Sequence, residues 1–307
     1  MRFILIGLLF ISACSQNNSL AKNKSNCDDV RLQVLGSGGP EIDDGLASSS
    51  YLIWINNKAR IMVDAGGGSS LNFERSGANF NDLAAILLTH LHVDHSAALP
   101  VYIKAGYFTN REKILPIFGP IAGGDFLSTE DFSKALFSDQ QKSAYAYLSD
   151  NIRQQSTTDF LINAQSVNPK GIVWNQEVSK GLSISAINVV HGAIPAIAWK
   201  INYQKCSVTF SGDMNGESGN LPLLANQTDM LVANNAIPQN AHRIAKNLHM
   251  EPSVIGEIAS KSKAKSLLLS HFMNRTKSKK SETLTIIKKS YTGKVRLAED
   301  LIKIELN

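Results

Sequence analysis

No stretch of the chain approaches the ~20 consecutive apolar residues that a membrane-spanning helix requires. A helical integral membrane protein is therefore excluded. No charge of one sign dominates either: 31 Lys and Arg stand against 26 Asp and Glu, a formal net charge of +5 and far from a polycation. Much of the excess lies late, at Lys261, Lys263, Lys265, Lys277, Lys279 and Lys280, which reads either as a solvated basic face or as a site that attracts anions. No repeat period appears, and no Pro- or Gly-rich linker divides the body. What is present is a chain 43% hydrophobic, too apolar for a disordered protein. Its 307 residues are enough for one large domain or two small ones.

The first residues read as a label. Met1-Arg2 precedes an apolar stretch from Phe3 to Ile11, and Ser12-Ala13-Cys14 follows. One cation, a short apolar run and small residues make a secretory signal. The ending Ile11-Ser12-Ala13-Cys14 resembles the lipobox of bacterial lipoproteins, which implies cleavage after residue 13 and acylation of Cys14. Export follows as an expectation, to the periplasm or cell surface; Ser15 after the cysteine favours the outer membrane. Residues 14–29 are polar and aperiodic, as a flexible tether would be. Cys27 and Cys206 remain. In an oxidising compartment they can form a disulfide, or Cys206 can be a small buried hydrophobe and Cys27 a loop thiol.

In the body, residues 30–307, short apolar strands come first. Val30 to Leu35 runs into Gly36-Ser37-Gly38-Gly39-Pro40, and Tyr51–Ile55 with Ile61–Val63 reads as a hairpin. Ala84–Leu88 is a continuous apolar run, hence a buried strand. Leu182–Val190, Cys206–Phe210, Met230–Ala233, Ser266–Leu269 and Val295–Leu306 read as further strands. Helices are expected over 96–107, 128–137, 140–152, about 252–262 and 279–290, with Ser128 and Asp131 as a capping box. Strands and helices are mixed throughout, and the polar clusters fall just past strand ends, where α/β folds place chemistry.

Three of seven histidines stand within six residues, in Thr89-His90-Leu91-His92-Val93-Asp94-His95. Past a strand end, His90 and His92 can point into one space while Asp94 and His95 turn towards another. Imidazoles and carboxylates are the donors a borderline divalent metal such as zinc prefers. His191, Asp213 and His271 each follow a further strand, so three separate elements end in a candidate ligand.

This pattern resembles the metallo-β-lactamase superfamily over nearly the whole body, and its His-x-His-x-Asp-His signature is specific. The resemblance implies an αβ/βα sandwich of two mixed sheets flanked by helices, with two divalent ions, zinc above all, at one edge. Position by position it assigns His90, His92 and His191 to one ion, Asp94, His95 and His271 to the other, and Asp213 to both. Asp64, in Val63-Asp64-Ala65-Gly66, matches the family's buried aspartate, which would orient a ligand imidazole. Within the superfamily, the glycine loop at Leu35–Pro40, the strand Ser48–Ile53 and the ending Leu297–Asp300 are similar to ribonuclease Z and arylsulfatase-like zinc phosphodiesterases. That group keeps a histidine for the leaving group where His249 lies, which with Asp94 makes the catalytic pair. Two departures stand out: Asp213 occupies the position where true lactamases carry cysteine, and the Gly/Pro-rich arm that grips tRNA is missing.

The expectation is hydrolysis of a small anionic ester, phosphodiester or aryl sulfate, by a metal-bridged hydroxide. No specific nucleic acid is expected, membrane contact comes only through a lipid anchor, and a homodimer is left open. Lactone or lactam hydrolysis, and a metal-stabilised lipoprotein that binds without turnover, are the competing readings. Residues 121–180, with Phe126, Phe132, Phe137, Tyr145, Tyr147, Phe160 and Trp174, read as a helical specificity insert whose aromatics either wall a ligand site or pack a core.

Overall fold

A computed structural model describes residues 27–140, 142–152 and 160–306; the signal, Cys14 and most of the tether lie outside these. The first six strands form one sheet: β1 (Val30–Gly36), β2 (Ser50–Ile55), β3 (Lys58–Val63), β4 (Ala85–Leu87), β5 (Leu115–Pro120) and β6 (Ile162–Val167). The next seven form a second: β7 (Trp174–Ser179), β8 (Leu182–His191), β9 (Ile194–Tyr203), β10 (Cys206–Phe210), β11 (Met230–Asn234), β12 (Ser266–Ser270) and β13 (Lys294–Leu297). The last strand, β14 (Lys303–Glu305), returns to the first sheet beside β1. Each sheet is antiparallel on one side and parallel on the other, the parallel pairings being β3 to β6 and β10 to β13.

Alternation decides what each strand faces. On β2, Tyr51, Ile53 and Ile55 join the main core shared with the second sheet, while Leu52 and Trp54 join a separate cluster on the other face. That cluster is covered by helices α1 (Ser69–Ser76), α3 (Leu99–Gly106) and α4 (Thr129–Phe137), with Tyr102, Ile103 and Phe137 among its members, while the short α2 (Val93–Ser96) carries Asp94 and His95. Along the second sheet run α5 (Leu221–Leu224), α6 (Arg243–Leu248), α7 (Pro252–Lys261), α8 (Asn274–Lys277) and α9 (Lys280–Ile287). Strands apolar on both faces, such as the fully buried β4 and β11, are what a sheet covered on both sides demands. The β2–β3 hairpin turns on Asn56 and Asn57, both with positive φ, as a two-residue turn of this hand requires.

Three expectations are corrected. The helix expected over 96–107 begins later, as α3 at Leu99, because Pro100 in its first turn has no N–H to offer the Ser96 carbonyl; Ser96 instead ends the short α2. Val295–Leu306 is two strands in different sheets. Between them Asp300 accepts from Ser37 N and Oγ at 2.9 and 2.7 Å and from Ala47 N at 2.8 Å, tying the chain's end to the glycine loop. In place of a helix over 140–152 there is a 3-10 segment at Ala146–Asn151, and beside helix α4 the described part of 121–180 supplies the edge strands β6 and β7. Ser128 does cap α4, accepting from Asp131 N. Cys27 and Cys206 are joined, with Cα atoms 5.6 Å apart, fastening the start of the described chain to the base of β10.

Candidate metal centre

Strand ends of both sheets meet at one edge. From the first sheet, Asp64 follows β3 and the segment Thr89–His95 follows β4. From the second, His191 closes β8, Asp213 follows β10, Asn234 closes β11 and His271 follows β12. Ligand atoms of His90, His92 and His191 lie within 4.8 Å of one another, and so do those of Asp94, His95, Asp213 and His271. Asp213 joins the clusters: its Oδ2 is 3.8 Å from Nε2 of both His95 and His191, and its Oδ1 is 3.4 Å from His271 Nε2. The seven residues expected from sequence are thus brought together. A third overlapping set, His191, Asp213 and His249, brings in the remaining expected histidine.

The donors are aimed by polar partners behind them. Asp64 accepts from Thr89 N at 2.7 Å and lies 2.8 Å from His95 Nδ1, so Nε2 of that ring faces the centre. His191 Nδ1 donates to the Leu248 carbonyl at 2.7 Å, fixing its tautomer in the same way. Asn234 Nδ2 donates to Asp213 Oδ1 at 2.7 Å. Asp64 and His271 both hold left-handed backbone, φ 57° and 54°, a conformation costing of order 1–3 kcal/mol that concentrates at functional sites. Glycine makes room beside them. A Cβ on Gly39 would stand 2.8 Å from His271 Cε1, and one on Gly66 would stand 2.3 Å from the Asp94 carbonyl.

Electrostatics divide the two clusters. Burial, with neighbouring imidazoles, holds His90 and His92 below the ordinary histidine range; burial also lowers His191 against the pull of Asp213. Burial opposes charge on His95 too, yet Asp64 and Asp94 outweigh it and push the ring up to about 10. His271 is raised likewise, Asp213 and Asp94 outweighing burial. Asp94 is drawn down to about 2 and Asp213 well below the carboxylate range, because the surrounding histidines overcome burial. His249 sits 3.6 Å from Asp213 through Nδ1, and burial lowers it to about 4.

These residues fit divalent ions. His90 Nε2 and His95 Nε2 are buried and have no hydrogen-bond partner among the described residues, a costly state unless something else satisfies them. The donor set of imidazoles and two carboxylates is that of a borderline metal.

Sequence reasoning missed the Leu248 carbonyl and Asn234. A polar residue closing an apolar strand at the same edge was the available signal for Asn234. Of the basic stretch Arg275–Lys280, Arg275 is the residue whose charge reaches His249 and Asp213, whereas Lys277 binds the Asp44 carbonyl and Lys280 covers Phe272. The aromatics of 121–180 divide: Phe137 and Phe160 are core and Trp174 packs on it, while Tyr145 and Tyr147 are exposed.

The chain belongs to the metallo-beta-lactamase superfamily, whose family model matches residues 43–241, and it is a metal-dependent hydrolase of that family. It is 21% identical over 278 residues to ribonuclease Z of Clostridium tetani (strain Massachusetts / E88), covering 80% of this chain and 88% of that protein. Among solved structures it resembles the metallo-beta-lactamase fold protein YhfI from Bacillus subtilis, with a TM-score of 0.70, 19% identity, and 90% of this chain and 98% of that one covered. It also resembles the short form of human tRNase Z, with a TM-score of 0.67, 18% identity, and 90% and 99% covered.

Proposed function

We propose that this protein is an exported phosphodiesterase that uses two divalent ions, zinc in the first instance. The observation that carries the reading is the pair of donor clusters joined through Asp213. His90, His92 and His191 would hold one ion, Asp94, His95 and His271 the other, and Asp213 both. Ions held there would make water a nucleophile at neutral pH and offset charge growing on the ester oxygens.

The chain's own groups do the rest. Asp64, the Leu248 carbonyl and Asn234 keep two imidazoles and the shared carboxylate pointing inward. His249 flanks Asp213 through Nδ1 at 3.6 Å, on the side where a proton carried by its ring would serve the departing oxygen. Arg275 adds positive charge on that flank, which favours an anionic ester over a neutral lactone or lactam. The relatives named ribonuclease Z make phosphate the better choice over sulfate, and the missing Gly/Pro-rich arm favours a small ester over tRNA. Export and acylation at Cys14 rest on the N-terminal residues alone.

The test is turnover by zinc-loaded protein of bis(p-nitrophenyl) phosphate, p-nitrophenyl sulfate, an aryl lactone, a chromogenic lactam and a tRNA precursor. Preference for the phosphodiester by at least tenfold is expected. A lactone or lactam as best substrate would overturn the reading. The mass of the purified mature chain tests the lipid on Cys14.

A further inference from the structure

We propose that a groove beside the His90–His92–His191 cluster seats a flat aromatic ring carried on the side of the substrate that is retained, away from His249. This rests on the phosphodiester reading above and names the substrate class within it.

The groove has a volume of about 340 Å³, within the range of small-ligand sites. Its walls come from both sheets: Ile121 from the loop after β5, Val167 and Pro169 at the end of β6, and Ile194 and Pro195 from the β8–β9 hairpin. It adjoins the metal centre at two points. Gly192, which lines it, follows His191 directly; Ile197, which also lines it, donates its N–H to the Thr89 carbonyl at 2.9 Å, one residue before His90. No residue of 243–249 or 271–275 lines it. The segment leading to His249 meets the groove where Gly192 packs against Asn247 and Leu248, so an ester with its leaving oxygen at His249 would turn its other substituent past that contact into the groove.

The walls are held in place before any ligand arrives. Gly171 N donates to Asn188 Oδ1 at 2.9 Å, pinning the turn after β6 onto β8. Gly123 lies so close to Pro195 that a Cβ there would stand 2.8 Å from its Cγ, and Gly123 and Phe126 exchange backbone hydrogen bonds. Such pre-formed walls bind without paying for ordering. Their chemistry selects the occupant. Proline and branched aliphatic faces on opposing sides suit a ring presented edge-in, and the one cation among the described lining residues, Lys170, is exposed at the rim. A second phosphate would find no charged group among the described residues inside, whereas a ring would lose apolar surface to the walls. An aryl group and a nucleobase share this chemistry.

Three substrates with the same p-nitrophenolate leaving group test the assignment: bis(p-nitrophenyl) phosphate, thymidine 5′-(p-nitrophenyl) phosphate and methyl p-nitrophenyl phosphate. Ile121→Ser and the groove-filling Ile121→Trp should each lower kcat/KM about tenfold on the first two, mainly through KM, and leave the methyl ester within about twofold. The ester that loses more identifies the ring's source as aryl or nucleobase. Equal losses on all three, or none, would overturn the assignment. Saturation-transfer NMR with phenylphosphonate provides a readout without turnover. Its ring protons should receive saturation from wild-type protein and lose it in Ile121→Trp. If no phosphodiester is hydrolysed, the function reading falls, while this signal still decides the groove, its absence in wild type counting against it.

Discussion

The two donor clusters are neighbours built on opposite principles. His90, His92 and His191 are three imidazoles from β4 and β8, with His92 half-exposed and no carboxylate of their own. Asp94, His95, Asp213 and His271 are all buried, carry two carboxylates, and rest on Asp64 and Asn234. In the ion-free chain the first set stays neutral because burial forbids charge, whereas the second draws protons onto His95 and His271 to balance its aspartates. A cation entering the second set replaces protons; one entering the first does not. The second is therefore expected to bind its ion with the greater dependence on pH.

The severest way to break the comparison is to remove what the clusters share. Asp213→Ala should lose both ions and ~10³-fold or more of kcat/KM, read by metal analysis and steady-state kinetics. His271→Ala should lose the second ion only. Next comes His249→Ala, where turnover should fall ~10²-fold while both ions stay, since general acid–base groups contribute on that scale. Equal metal loss in all three variants would erase the distinction between ligand and leaving-group residue. Asp64→Asn keeps every ligand yet removes the charge behind His95. It should weaken the second ion ~10–100-fold and leave the first unchanged, measured by competition with a chelating dye.

The smallest effect is on the ion-free chain. His95 is raised in the folded state, so its stabilisation is complete below ~6.5 and fades as pH rises through about 10. His90 is lowered, so its neutral burial costs stability as pH falls below ~6.5. Melting temperature of chelated protein should therefore decline on both sides of neutrality. Asp64→Asn should flatten the alkaline limb and spare the acidic one.

Much of the centre was legible because its donors sit at strand ends in a fixed spacing. His90, His92, Asp94 and His95 need only β4 and the turn after it, and His191, Asp213 and His271 each mark the end of an apolar run. Less legible were elements whose pattern is set by distant neighbours. β9 opens on Ile194-Pro195, which reads as loop, and is a strand because β8 pairs with it from Leu182↔Tyr203 to His191↔Ile194. β6 and β7 are edge strands with many exposed positions, so their apolar periodicity is weak. Asp300, polar within an apolar ending, divides β13 from β14 for the sake of bonds to Ser37 and Ala47, more than 250 residues earlier. A carbonyl partner such as Leu248 has no sequence signature, because any residue supplies one. The aromatics of 121–180 illustrate the converse: composition left a ligand wall and a core equally open, and burial put Phe137 and Phe160 into the core.

Metal content bears most directly on the convergence of the two clusters. Wild-type protein purified with zinc and dialysed should retain two ions per chain by mass spectrometry under native conditions, His271→Ala one, and Asp213→Ala none. A wild-type chain that retains less than one ion, or an Asp213→Ala chain that still retains two, would contradict it.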